Sequence, residues 1–224
     1  MFRTAKPEDF PALTALWEEA FGDRPDAVAR FYEAFPDCRC YAAEAEGQAV
    51  SMVNVLPQTL SPDLPAAYIY AVATAQTHRN RGLCRALMSF VEEDLKHQGF
   101  ACTVLTPGEP ELFRFYEKLG YAAVFTRSRT AFPGGVPVSI EAYAVLREQI
   151  LTVPHMIYDL PTLEYAARAY GLTFCRTETG IAAAGEQYTA EVLPEDVGGK
   201  PFAMLKWLTE ERPLENAYLG FALE

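Results

Sequence analysis

The run 77–88 constrains the fold of this chain more than any other segment. It places three arginines and a glycine where an apolar, aromatic strand at 68–74 passes into a helix, and it contains no acid between Thr77 and Arg85. The apolar residues of that helix recur at i, i+4, i+7 and i+8, the spacing of one helical face: Leu83, Leu87, Phe90 and Val91. A helix N-terminus carries unpaired N–H groups and about half a positive charge, so this segment predicts a pyrophosphate site.

The composition excludes several classes of protein. Half of the residues are hydrophobic, enough for a substantial core, and the net charge is −11. That charge repels nucleic acid and favours a cationic substrate such as an amine. Charged residues interrupt every apolar stretch before it reaches membrane-spanning length, so no membrane association is expected. The first nine residues lack the apolar stretch of a signal peptide, which favours a cytoplasmic protein.

The five cysteines and three histidines predict no metal site. Their spacing contains no Cys-x-x-Cys pair and no histidine pair suited to zinc. An odd number of cysteines also argues against a disulfide framework, so reduced thiols are expected.

The order of predicted elements divides the chain at residue 130. The first part reads as strand, two helices, a hairpin with arms at 39–44 and 49–56, a proline-rich loop, then strand–helix–strand, a short helix at 111–119 and a strand. A connector at 132–137 follows. Residues 131–224 predict two helices, a hairpin pairing 172–177 with 181–184, and further strands that include 217–223. This C-terminal part has no arginine–glycine turn, so no second coenzyme motif is expected.

Two segments of the first part resemble the GNAT superfamily of N-acetyltransferases. Its signature R/Q-x-x-G-x-G/A corresponds to Arg79-Asn80-Arg81-Gly82-Leu83-Cys84, and its short helix ending F-Y-x-x-L-G-Y corresponds to 115–121. The arginine run looks most like the enhanced-intracellular-survival branch, which carries extra C-terminal domains. The resemblance implies a mixed α/β fold with two splayed central parallel strands. It also implies a GNAT domain at 1–130 and, at 131–224, a smaller α+β subdomain like a partial GNAT half.

The resemblance also implies acetyl transfer from acetyl-CoA, as co-substrate, to a primary amine. It assigns coenzyme contacts to a strand end and to the turn that follows: Val72, Ala73, Thr74, Arg79, Asn80, Arg81, Gly82, Leu83, Cys84 and Arg85. The last signature position is normally glycine or alanine, because the backbone approaches the pyrophosphate there. Cys84 departs from that pattern, which bears on how tightly the coenzyme binds.

Tyr116 matches the tyrosine that protonates the departing thiolate in many members of the superfamily. The alternative is a core tyrosine, with Leu112, Phe115 and Leu119 on the same buried helix face. The general base stays open among four candidates: Glu44, Glu46, the terminal carboxylate at Glu224 and water.

Two functions from different classes remain. The leading one is an N-acetyltransferase acting on a small or protein amine, with a homodimer as one arrangement. The alternative is a catalytically degenerate relative that binds acyl-CoA as a sensor or scaffold. Acceptor identity and acyl chain length stay open.

Overall fold

The structure, a computed structural model, describes residues 1–186 and 188–221. These residues form two compact units that interleave along the chain. Unit 1 comprises Met1–Pro57, Ala66–Thr103 and Leu208–Glu210, and unit 2 comprises the remaining described residues. The domain boundary expected at residue 130 divides the sequence differently, and it stays a prediction.

Unit 1 combines strands of one sheet with three helices. Two of these helices follow the first strand, and the third lies between two later strands. In chain order its elements are β1 (Phe2–Thr4), α1 (Phe10–Phe21), α2 (Pro25–Ala34), β2 (Arg39–Ala45), β3 (Gln48–Leu60), β4 (Leu64–Thr74), α3 (Leu83–His97) and the start of β5 (Cys102–Leu105). The strand order is β1-β2-β3-β4-β5, so the two strands that flank α3 are neighbours, as predicted. β2 and β3 form the predicted antiparallel hairpin, in which Ala45 pairs with Gln48. Glu46 and Gly47 make its turn with positive φ angles of 52° and 78°.

Helices α1 and α3 end where a glycine follows them. Gly22 adopts φ 77° directly after α1, and Gly99 adopts φ 90° two residues after α3. Only glycine reaches this left-handed conformation at little cost, so both predicted stops are confirmed. The buried stripe of α3 differs from the predicted one. Phe90 is 38% exposed and Leu83 is half-buried, while Met88 and Leu95 join Leu87 and Val91 in the core.

The predicted proline-rich loop at 57–66 is wrong, because β3 continues to Leu60 and β4 already begins at Leu64. Pro57 is compatible with a strand here for a structural reason. The last β2–β3 pair joins Arg39 to Val55, so β3 has no β2 partner at Pro57 and the missing proline N–H breaks no ladder bond on that side.

Unit 2 contains the rest of the strands and three helices. In chain order these are α4 (Pro110–Glu117), β6 (Ala122–Arg127), β7 (Val136–Pro137), α5 (Ile140–Ile150), β8 (Met156–Ile157), α6 (Leu160–Tyr170), β9 (Thr173–Arg176), β10 (Ile181–Ala184), β11 (Thr189–Leu193) and β12 (Lys200–Trp207). β12 pairs antiparallel with β6, and a separate sheet has the order β11-β10-β9-β7. The core of unit 2 includes Tyr143, Leu163, Phe174 and Ile181, all 3% exposed or less.

Two predictions for this part need correction. The connector at 132–137 contains β7, which pairs with β9. Its Gly135 passes so close to β9 that a Cβ would lie 2.7 Å from the Arg176 carbonyl oxygen. The predicted strand at 217–223 is absent from its described part: Ala217 and Tyr218 make isolated bridges only, and Gly220 turns the chain with φ 90°. The β9–β10 hairpin is confirmed, with Ile181 opposite Arg176.

Candidate active site

The strand that leads into the arginine turn is distorted at one residue. Ala71, inside β4, has φ 46°, a left-handed conformation that costs a non-glycine residue about 1–2 kcal/mol. Such outliers persist where surrounding structure enforces them, often at functional sites. The distortion directly precedes Val72, Ala73 and Thr74. It therefore falls where the resemblance places the splay of the two strands.

A buried serine fixes the end of β4. The Ser51 hydroxyl donates to the Ala73 carbonyl at 2.8 Å, and it lies 2.8 Å from the Thr74 hydroxyl. The Arg79 Nε donates to the Thr74 carbonyl at 3.0 Å, and the Ala75 N–H donates to the Val50 carbonyl at 2.9 Å. The strand end is thus held from β3 and from the turn itself.

The turn after β4 is tied to helix α1 as well. A short 3-10 turn spans Gln76–His78, and the Gln76 N–H donates to the Glu19 carboxylate at 2.7 Å. His78 lies on this turn with Nδ1 2.9 Å from the Thr77 hydroxyl. These contacts give His78 a place in the turn.

The backbone between the turn and α3 can form an anion-binding concavity. Asn80 has φ 62° and Gly82 has φ 76°. Left-handed residues in such a turn point successive N–H groups to one side. α3 then starts at Leu83 without a side-chain cap and without an acid in its first turn. The first helical bond runs from the Ala86 N–H to the Gly82 carbonyl, so the N–H groups of 83–85 have no acceptor within the helix.

The arginines of the turn differ in their contacts. Arg79 is tied to the strand end, whereas Arg81 and Arg85 are exposed and make no ion pair with any described residue. Two cationic side chains thus border an acid-free helix N-terminus in a chain of net charge −11. These residues fit the charge of a pyrophosphate and of a further phosphate group.

The cysteine that departs from the signature is an uncharged group here. Cys84 is half-buried, and burial raises the pKa of its thiol to about 11. At neutral pH the thiol therefore adds no negative charge beside the phosphates.

Tyr116 belongs to unit 2, whereas the ten predicted coenzyme residues all lie in unit 1. Tyr116 is 7% exposed and is the one buried residue of α4. Its ring lies edge-on to Phe115 and Tyr121, with centroid distances of 5.1 and 5.7 Å. The expected buried face through Leu112 and Leu119 is wrong, since Leu112 is 36% exposed and Leu119 only half-buried. Burial of the ring fits both the core role and the acid role.

The candidate bases differ in how free their carboxylates are. The Glu44 Oε2 accepts a hydrogen bond from Arg3 Nε at 2.9 Å and lies 2.8 Å from Arg3 Nη2, so its carboxylate is already paired with a cation. Glu46 lies in the hairpin turn and is exposed. Glu224 lies outside the described residues.

Sequence reasoning missed three residues that shape this site: Ser51, Glu19 and Ala71. Ser51 sits in an apolar strand and Glu19 on an exposed helix face, so neither shows a signal in the sequence. An alanine with positive φ has none either. The positive φ of Asn80 does have a signal in the sequence, because asparagine tolerates the left-handed region better than most residues.

Among residues 1–186 and 188–221, no group of three or more His, Cys, Asp or Glu side chains is arranged to hold a metal ion. Within the same ranges, none of the helices combines the length and the apolar character needed to cross a bilayer.

Comparisons with known proteins connect this geometry to a family. Residues 1–124 match the family described as acetyltransferase (GNAT) domain. No curated protein matches the chain. Solved structures that resemble it include a conserved protein of unknown function from Enterococcus faecalis V583, with 20% identity over 82% of this chain and a TM-score of 0.64.

Two further structures have a TM-score of 0.63 and 17% identity, also over 82% of this chain. They are Eis1 from Mycobacterium abscessus and a GCN5-related N-acetyltransferase from Kribbella flavida. The match covers 53–54% of each of the three structures, so the chain spans about half of their length. At these identities the likeness shows the fold alone.

Proposed function

This chain belongs to the GNAT acetyltransferase family, and on that basis we propose that it transfers an acetyl group from acetyl-CoA to a primary amine. The observation that carries the proposal is the N-terminus of α3: uncapped, free of acid, and bordered by Arg81 and Arg85. Its open N–H groups and the helix dipole suit a pyrophosphate.

The chain's own residues have distinct roles in this proposal. The N–H groups of 83–85 hold the pyrophosphate, and Arg81 and Arg85 add charge-assisted hydrogen bonds to phosphate oxygens. The main chain of 72–74, after the distortion at Ala71, pairs with the pantetheine arm and polarises the thioester carbonyl.

Proton transfers complete the reaction. The amine nitrogen attacks the thioester carbon, the carbon–sulfur bond breaks, and Tyr116 donates its phenolic proton to the departing sulfur. The attacking nitrogen gives its proton to a base; Glu44 is already engaged by Arg3, which leaves Glu46, the terminal carboxylate of Glu224 and water as the candidates. The acidity of the chain favours a cationic acceptor such as a polyamine, an aminoglycoside or a lysine side chain.

Tyr116→Phe tests the catalytic part of the proposal, with Tyr121→Phe as the matched control. Both variants remove one hydroxyl from neighbouring buried tyrosines of unit 2. Turnover is followed as free CoA thiol released with a panel of amines. We expect Tyr116→Phe to lower kcat by about 10²–10⁴-fold with acetyl-CoA affinity unchanged, the usual range for a lost general acid. Tyr121→Phe should keep most of the activity. Wild-type turnover in Tyr116→Phe would refute the acid role.

One observation favours a second function, an acyl-CoA sensor or scaffold without turnover. The ion pair between Glu44 and Arg3 occupies one of the candidate bases. Saturable acetyl-CoA binding together with no acetylation of any amine in the panel would support this second function over the first.

A further inference from the structure

Unit 2 contains a pocket that the proposed acetyl transfer does not use. It is an open depression, and the space between its lining atoms, counted out into the solvent, is about 400 Å³. Two arginines and several aromatic or aliphatic side chains line it: Arg127, Arg129, Tyr170, Leu172, Tyr188 and Phe221. Among residues 1–186 and 188–221, no acidic side chain contributes to this lining.

The buried arginine of the pocket has unused hydrogen-bonding capacity. The Arg127 side chain is only 6% exposed. Its terminal nitrogens donate to the Gly220 carbonyl at 3.2 Å and to the Ala190 carbonyl. A guanidinium has five N–H donors, and its Nε–H has no hydrogen-bond partner among the described residues. A buried donor without an acceptor is costly.

The charge of Arg127 has one buried carboxylate as its counterion, held at a distance. The nearest carboxylate, that of Asp196, lies 3.9 Å from Nε, beyond hydrogen-bonding distance. Both oxygens of that carboxylate already accept backbone N–H groups, from Thr130 at 2.8 Å and from Val192 at 3.0 Å. Two carbonyl oxygens and the face of the Phe202 ring supply the other contacts of Arg127, and none of them carries a net charge.

Arg129 supplies a second positive charge to the same pocket. It follows Arg127 by two residues, so in extended chain the two side chains project to the same side. Arg129 is exposed and forms no ion pair with the described residues. A buried guanidinium and an exposed one therefore line a pocket whose described residues include no acid.

The remaining lining suits the apolar body of a ligand. Leu172 and Phe221 are buried at 7% and 4% exposure, whereas the Tyr188 ring is 48% exposed at the surface. Aromatic faces of this kind pack against a ring or an aliphatic group, while a planar guanidinium pairs with a carboxylate.

We propose that this pocket binds a small carboxylate that bears an aromatic or apolar group. The site is separate from the coenzyme turn and does not depend on the proposed acetyl transfer. Its ligand is an effector or a second substrate of unit 2, recognised by charge at one end and by apolar contact at the other.

The test uses three small probes: phenylacetate, phenylacetamide and acetate. Binding to the full chain is measured by ligand-observed NMR titration. Phenylacetate should bind saturably. Phenylacetamide lacks the charge and acetate lacks the ring, so each should bind at least about tenfold more weakly.

Two arginine variants locate the site. Arg129→Gln should weaken phenylacetate binding about tenfold, the effect of one lost charge-assisted hydrogen bond. Arg168→Gln is the matched control, because Arg168 is another arginine of unit 2 and its side chain is 83% exposed. The double variant Arg81→Glu, Arg85→Glu should bind phenylacetate normally.

Three results would overturn the proposal. They are no saturable binding of phenylacetate to the wild type, equal affinity for phenylacetamide, and binding that Arg129→Gln leaves intact. Loss of binding in the coenzyme-turn variant would likewise assign the carboxylate to the other site.

Discussion

Gly82 gives the sharpest test of how the phosphate turn is built. Its φ of 76° is left-handed, and a Cβ built on it meets no protein atom within 4 Å. Gly82→Ala therefore creates no clash inside the protein and costs only backbone strain, about 1–2 kcal/mol. In a chain of this size each kcal/mol lowers Tm by about 2–4 °C.

The chain offers a matched control in Gly22. It has φ 77° and likewise no atom within 4 Å of a built Cβ, but it ends α1 instead of starting α3. Gly22→Ala should therefore lose the same stability. Only at Gly82 would the new methyl group stand in the concavity that the pyrophosphate enters. We expect Gly82→Ala to weaken acetyl-CoA binding at least about tenfold, or 1.4 kcal/mol, and Gly22→Ala to leave it unchanged.

The assay pairs thermal unfolding with calorimetric titration of acetyl-CoA for both variants and the wild type. Equal losses of Tm with a selective loss of binding at Gly82 would support the account. Wild-type affinity in Gly82→Ala would refute the close approach of backbone and phosphate. An equal loss of affinity in Gly22→Ala would show that the loss comes from general destabilisation and not from the phosphate site.

Further predictions concern burial and charge. Arg147 and Glu191 form an ion pair whose side chains are 1% exposed or less. Arg147→Ala leaves the Glu191 charge buried without its partner, so it should lower the free energy of unfolding, measured with denaturant, by about 3–5 kcal/mol. The apolar double variant Arg147→Met, Glu191→Leu should recover much of that loss. A hydrogen bond from Arg3 lowers the pKa of Asp9 from 3.8 to about 2. Asp9 thus stabilises the fold above pH 3.8, and this contribution disappears as pH falls toward 2; acid unfolding curves of Asp9→Asn should lack it. Cys84→Ala should change acetyl-CoA affinity less than about twofold by calorimetry, because the thiol is neutral and half-buried; tightening beyond tenfold would show that the sulfur crowds the phosphates.

Local signals predicted the parts of the fold that local chemistry determines. The strand, the arginine turn and α3 follow from a change of hydrophobic period within about twenty residues. The stops at Gly22 and Gly99 follow from the conformational freedom of glycine. The β9–β10 hairpin could equally be predicted from the sequence, because its turn at 178–180 separates two short apolar runs.

Features that depend on distant residues escaped prediction. Pro57 suggested a loop, and only the register that ends β2 opposite Val55 shows why a strand tolerates it. Ser51 holds the end of β4 from 22 residues away in sequence. The buried contact of Arg147 with Glu191 spans 44 residues, and neither residue differs locally from a solvated charge.

The same limit applies to the candidate site. The turn residues share one short segment, so their grouping could be predicted from the sequence. Glu44 looked available as a base until its pairing with Arg3 appeared, and the strain at Ala71 has no compositional cause. Backbone strain and ion pairing are properties of the folded chain, so they became visible only in the structure.

Calorimetric titration with acetyl-CoA tests the central claim most directly, that the arginine turn and the start of α3 bind the coenzyme. The wild type is compared with two double variants. One is Arg81→Glu, Arg85→Glu; the control is Arg24→Glu, Arg30→Glu, which reverses two exposed arginines of unit 1 that do not belong to the turn. The account predicts micromolar binding in the wild type and in the control variant, and loss of binding in the turn variant. Equal binding in all three proteins, or none in the wild type, would contradict it.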